Sequence, residues 1–223
     1  MSNVMPINPA SESNDEQRLI AFGLSTTVLH NALTPGAGRA RGRSAFALST
    51  TPGTDIYHDT MEQLAFLLVP HGWTPVNVGG QPRLLHPDAV LSFTLASATN
   101  VANADHRKSP RAHGKGTATR NALAASPAQE IALFELPETA RDAKLVAAAE
   151  AAPFWMLLHE RTPVGLSLEF SRPSAMTLSG TVYEWADRIA VPHLDVDGDL
   201  SIFDADDNND DDDGDFDVPV ERL

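Results

Sequence analysis

Cysteine is absent from all 223 residues. That removes disulfides, a thiolate nucleophile and Cys-ligated zinc or iron–sulfur centres, and it suits a reducing compartment. Long apolar runs are missing too: the best stretch, 64–69, falls far short of the roughly 18 residues that cross a bilayer. The first 16 residues lack both a basic region and an apolar one, so they do not read as a signal peptide. A cytoplasmic protein without membrane attachment is the expectation. Positive charge is also scarce, with 16 Lys and Arg against 30 Asp and Glu and a net charge of −14. Such a balance argues against adhesion of the whole surface to DNA or anionic lipid.

The acid is not spread evenly. Residues 195–217 carry twelve aspartates and no basic residue, whereas residues 1–194 hold 15 Lys and Arg against 17 Asp and Glu. A near-neutral body therefore precedes a polyanionic tail. The predicted organisation is a disordered segment over 1–15, one α+β domain over 16–193, and a disordered Asp-rich tail over 194–223. Within the body, residues 17–54 contain Arg18, Arg39, Arg41 and Arg43 with no acid, and residues 106–129 contain Arg107, Lys108, Arg111, Lys115 and Arg120 with none.

Ser13 followed by Glu16 matches a capping box and predicts a helix there, with apolar residues at helical spacing up to Pro35-Gly36. Residues 35–44, PGAGRARGRS, then read as a mobile basic loop. A second helix is predicted from about Asp55 or Tyr57 to Val69, ended by Pro70 and Gly72, with Trp73 packing back onto it. Residues 75–87, broken by Pro and paired Gly, suggest a hairpin or short strands, and 90–96 alternates as a half-buried strand does. Short helices are expected near 117–125 and 137–151, with a strand near 131–134. Runs at 154–160, 164–170 and 178–183 predict an antiparallel meander, closed by Pro192. The fold class expected is thus α+β, a single domain whose antiparallel β meander is packed by several helices.

The start of the tail resembles an EF-hand or dockerin-type calcium loop. Asp195, Asp197, Asp199, Ser201 and Asp206 fall at loop positions 1, 3, 5, 7 and 12. Leu200 stands where the turn glycine belongs and Asp206 where a bidentate Glu belongs, so Ca2+ or another divalent cation is a minor expectation and no cofactor is predicted. The ending DGDFDVPVERL is similar in style to the acidic, apolar-tipped tails of bacterial single-stranded-DNA-binding proteins, which implies recruitment of a partner. HGKGTATR, residues 113–120, fails as a phosphate loop because Gly116 follows Lys115, yet it leads into a helix start that can hold an anion.

Catalytic motifs are weaker still. No two histidines form an HxH or HExxH pattern, and alternation turns His159 and Glu160 to opposite faces. A hydrolase or nuclease would need His159, Glu169, Glu184 and Asp187 to meet in space around a divalent ion, with Glu169 and Glu184 facing each other across the meander. The main expectation is instead a non-catalytic interaction protein. Its acidic tail docks on a basic protein partner, or regulates nucleic-acid access to Arg39, Arg41, Arg43, Arg107, Lys108, Arg111, Lys115 and Arg120.

Overall fold

A computed structural model describes residues 9–103, 105, 107–124 and 138–196. Three helices come first: α1 (Pro9–Ala21), α2 (Thr26–Arg41) and α3 (Thr51–Leu68). Strands β1 (Thr74–Val78), β2 (Gln81–Leu85) and β3 (Ser92–Ser97) follow. After α4 (Thr117–Ala124) and α5 (Glu138–Ala151) come β4 (Phe154–Thr162), β5 (Gly165–Met176) and β6 (Val182–Asp195). All six strands form one sheet in sequential order, antiparallel at every pairing except β3 with β4, which run parallel. That pair needs a crossover, which α4 and α5 provide. The α+β class holds, and a meander of β4, β5 and β6 is present, but its third strand is Val182–Asp195 and not the expected 178–183: residues 178–180 belong to the turn after β5. The strand expected near 131–134 lies outside the described residues.

Alternation along the strands divides the burial between two faces. Phe93, Leu95, Trp155, Leu157, Leu168, Phe170 and Ile189 point to α1, α2 and α3 and form the main core with Leu29, Leu33, Ile56 and Leu64. Its centre is aromatic: Trp155 stacks on Phe170 with centroids 5.0 Å apart, and Phe93 meets both Phe170 and Trp73 edge-on at 5.4 Å. On the opposite face, Ala96, Met156, Leu158 and Val182 pack under the loop that leaves β3, through Val101 and Ala112. Over β1 and β2 that face is covered by Leu145, Val146 and Ala149 of α5.

Four helical boundaries differ from expectation; one is the start of α3, which lies at Thr51 with Pro52 in its first turn and not near Asp55 or Tyr57. Helix α1 starts upstream at Pro9, so Ser13 does not cap it. The Glu16 carboxylate instead accepts the Thr26 N–H and hydroxyl at the start of α2, whose own N-cap is Ser25. Gly23, at φ 68°, breaks the expected single helix into α1 and α2. Helix α2 then runs straight through Pro35-Gly36 to Arg41, so most of the expected basic loop is helix. The reason is tertiary. Ala32, Gly36, Ala37 and Ala40 are buried along one stripe, and a Cβ at position 36 would stand 2.9 Å from Ile56 Cα. Close contact of α2 with α3 outweighs the proline penalty of about 3 kcal/mol.

The hairpin does follow the glycine signal: Gly79 and Gly80, at φ 55° and 83°, form the tight turn between β1 and β2. Gly72, at φ 89°, ends the 3-10 turn after α3, as Pro70 and Gly72 predict. Trp73 is buried beside them. At the other end, β6 continues through Pro192 to Asp195. Leu194 is buried and pairs with Leu166, and the Val196 N–H donates to Val164 O. Pro192 does not close the folded region, because an edge strand tolerates a missing N–H on its outer side. The acidic sequence from Asp197 onward lies outside the described residues.

Candidate functional site

The acid–base candidates do not converge. His159 is buried on the helical face of β4, in register with Leu168 of that face. Glu169 is buried on the opposite face, while Asp187 returns to the helical side, where Arg18 Nη2 donates to its Oδ1 at 2.5 Å and Arg18 also reaches Asp15 at 3.2 Å. Glu184 is exposed and pairs in register with Ala175, not with Glu169, which sits opposite Ala190. No group of three or more His, Asp or Glu side chains able to hold a metal occurs among the described residues.

Glu169 has a different task. Arg188 forks onto it, with Nε and Nη2 donating to the two carboxylate oxygens at 2.7 Å each, in preference to Glu184 and Asp187, its acidic neighbours in sequence. The Ser171 hydroxyl and the Ala102 N–H also donate to Glu169. Glu160 lies on the same face and takes the Val101 N–H at 2.8 Å. The two carboxylates therefore hold the segment after β3 in a tight fold in which Asn100 and Ala102 adopt φ of 59° and 50°. Sequence reasoning missed Glu160 in this role. Alternation already placed it on the face of Leu158 and Glu169, but what covers that face is set by the crossover.

His159 is held neutral. Burial pushes its pKa down to about 3, with Arg161 and Lys115 acting electrostatically in the same direction. The unfolded chain therefore binds a proton that the folded protein refuses. Stability on this account is complete above about pH 6.5 and falls as the pH drops toward 3, by up to about 1.4 kcal/mol per pH unit. His159→Leu is expected to remove that acid limb while leaving neutral-pH stability unchanged or higher. Urea unfolding of both proteins at neutral and mildly acidic pH measures the difference, and parallel pH profiles would refute it.

The two basic segments lie on opposite faces of the sheet. On the helical side, Arg39 Nε stands 2.9 Å from Asp59 Oδ2, and Arg43 forks onto Asp55 at 2.6 and 2.7 Å. The Arg43 hydrogen bonds hold the Asp55 carboxyl below its ordinary pKa against the opposing effect of burial. Only Arg41 of this group has no acidic partner among the described residues. These arginines clamp the α2–α3 corner. On the other side, Arg107, Lys108, Arg111 and Arg120 are exposed, and none forms an ion pair among the described residues. Asp105 turns the loop by accepting the Arg107 N–H at 3.0 Å and, through its carbonyl, the Lys108 N–H at 2.8 Å. Thr99 bridges Arg111, Ala112 bridges Val182, and the Trp185 indole donates to Pro110 O at 2.9 Å. Arg120, on α4, donates to Leu178 O. Lys115 is the exception: it is half-buried, and burial lowers its pKa.

Comparison with known proteins returns no match. No family model, curated protein or solved structure matches this chain.

The calcium-loop resemblance meets its flank. Asp195 is the last residue of β6, 91% exposed at its side chain and 3.6 Å from His193 Nε2, so a strand rather than a helix enters the Asp-rich segment. Asp197, Asp199, Ser201 and Asp206 lie outside the described residues. No helix among the described residues is long and apolar enough to cross a membrane. One further residue escaped the sequence reading altogether: Arg83, almost fully buried on β2. Alternation with Leu84 turns it to the α5 side, but nothing local marks its burial.

Proposed function

We propose that this is a non-catalytic binding protein. Its exposed basic loop and α4, through Arg107, Lys108, Arg111 and Arg120, engage a nucleic-acid backbone, and its own Asp-rich tail competes for the same residues. The observation that carries the reading is topological. Strand β3 is parallel to β4, and β6, two antiparallel steps away, shares their direction, so Ser97 and Asp195 lie at the same end of the sheet. The basic loop departs from the first and the tail from the second. Three strand spacings of about 4.8 Å across the sheet, combined with the three to four residues by which Asp195 overshoots the level of Ser97, put the two departures roughly 20 Å apart. A dozen extended residues reach about 40 Å, and residues 197–217 carry eleven of the aspartates.

The chemistry is that of phosphate neutralisation. Exposed guanidinium and ammonium groups without an acidic partner neutralise phosphates and release counterions without reading sequence. The tail offers the same groups a carboxylate polyanion. The test is fluorescence anisotropy with labelled oligonucleotides of mixed sequence, comparing the full chain with a chain ending at Val196. The shortened protein is expected to bind at least about ten-fold more tightly at low salt, with a log–log salt slope near −3 to −4 for four phosphate contacts. Changing Arg107, Lys108, Arg111 and Arg120 to Gln should abolish that gain. Equal affinity of the full and shortened chains would overturn the competition, and no binding by the shortened chain would overturn the nucleic-acid role.

A further inference from the structure

We propose that the cavity of about 410 Å3 between the β1–β2 turn, the first turn of α4 and the last turn of α5 binds a small zwitterion, a molecule of amino-acid size carrying a carboxylate and an ammonium group. The site shares α4 with the proposed nucleic-acid surface but includes none of Arg107, Lys108, Arg111 and Arg120, and it does not rest on the nucleic-acid reading.

Its floor is Arg83. Opposite Val76 in the β1–β2 register, this side chain turns toward α4 and α5 and is 1% exposed. The guanidinium lies 4.2 Å above the centre of the Phe154 ring. It donates to Gln81 Oε1 at 2.9 Å, to Ala118 O at 3.0 Å and to Ala149 O at 3.3 Å. These bonds use three of its five N–H groups, and every acceptor is neutral. A guanidinium this deeply buried ordinarily forks onto a carboxylate, as Arg188 does on Glu169. Burial brings the Arg83 pKa down to about 10, which leaves it cationic at neutral pH. The group is also held in place: Gln81 is tied through its Nε2 to Thr119 Oγ1 at 3.1 Å, which aims its oxygen at Arg83.

Two helix ends give the cavity opposite poles. Thr117 and Ala118 line it from the first turn of α4, whose leading N–H groups have no intrahelical acceptor and carry partial positive charge. Glu150 lines it from the last turn of α5, where a carboxylate adds to the negative end of the helix dipole instead of offsetting it. Glu150 is exposed and acts on Arg83 electrostatically without a hydrogen bond to it among the described residues. A plain anion drawn to Arg83 meets Glu150, and a plain amine drawn to Glu150 meets Arg83. A ligand bearing both charges satisfies both poles, with Asn121 and Thr117 offering hydrogen bonds between them. The volume sits at the small end of the roughly 300–1,000 Å3 range of ligand pockets, which favours a single amino acid over a nucleotide.

Thermal unfolding of the full chain tests this with individual neutral L-amino acids, the matched carboxylic acids without the amine, the matched amines without the carboxylate, and inorganic phosphate. At least one amino acid is expected to raise the melting temperature with saturable dose dependence, while its acid and amine analogues at the same concentration do not. Calorimetric titration then gives its Kd. Because Glu150 is exposed, Glu150→Gln keeps the fold, and it is expected to weaken the amino acid about ten-fold while admitting the matched carboxylic acid. The proposal is overturned if no amino acid shifts the melting temperature, if phosphate or the simple acid shifts it equally, or if Glu150→Gln leaves the preference unchanged.

Discussion

Arg188→Met is expected to lower the free energy of unfolding by about 3–5 kcal/mol, the usual consequence of removing one partner from a buried ion pair. The size follows from what is left behind. Glu169 is 2% exposed and would retain only the Ser171 hydroxyl and the Ala102 N–H. Two neutral donors do not replace a guanidinium that supplied two charge-assisted bonds of 2.7 Å. The informative variant is the second one. Glu169→Gln in the Arg188→Met background removes the stranded charge while keeping an oxygen for Ala102, and it is expected to recover more than half of the loss. Urea unfolding of the four proteins completes a double-mutant cycle. Additive effects in that cycle would show that the pair does not act as a unit. Loss of the contact should also loosen the loop after β3, since Ala102 is held by the same carboxylate.

The second large effect belongs to Gly165→Ala, with an expected destabilisation of about 3 kcal/mol. Gly165 begins β5 at φ 149°, and a Cβ there would stand 2.0 Å from Leu194 O and 2.9 Å from Val196 N. Two penalties combine: a backbone conformation that side chains avoid, and a collision with the backbone of the neighbouring strand. The end of β6 is what must move. Amide hydrogen exchange should therefore show lost protection at Val196, whose N–H bonds to Val164 O, before any change at Leu157 or Leu168 in the middle of the sheet. Uniform loss across the sheet would mean that the damage is global and that the clash is not confined to the strand end.

Much of the architecture was legible because local chemistry and tertiary packing agree. The paired glycines at 79 and 80 demand a tight turn, and alternation from Gly165 to Phe170 demands a strand, although both of its faces are covered where alternation alone implied one. Pro35-Gly36 shows where they part. As a local signal it reads as a helix stop, yet Gly36 serves by its small size, admitting Ile56 against the α2 backbone. A one-dimensional reading sees the flexibility of glycine and has no access to what presses on it. The partner of Arg188 is hidden from a one-dimensional reading for a related reason. Glu184 and Asp187 are near in sequence, but strand register brings Glu169 within reach instead. Likewise Arg39 and Arg43 read as free cations because their acids, Asp59 and Asp55, belong to the next helix.

The single parallel pairing carries a consequence for how the chain folds. Four of the five pairings are antiparallel and joined by short connections, so β1–β2–β3 and β4–β5–β6 are each assembled from contacts close in sequence. The seam between β3 and β4 is the exception: Ser92 pairs with Phe154 across the whole crossover. Closing so long a segment carries an entropic penalty before any seam contact forms. Folding should therefore proceed as two quickly formed meanders followed by a slower zippering along Phe93, Leu95, Trp155 and Leu157. The crossover that completes the sheet also supplies Thr117, Ala118 and Glu150, so the cavity comes into being only with that last step.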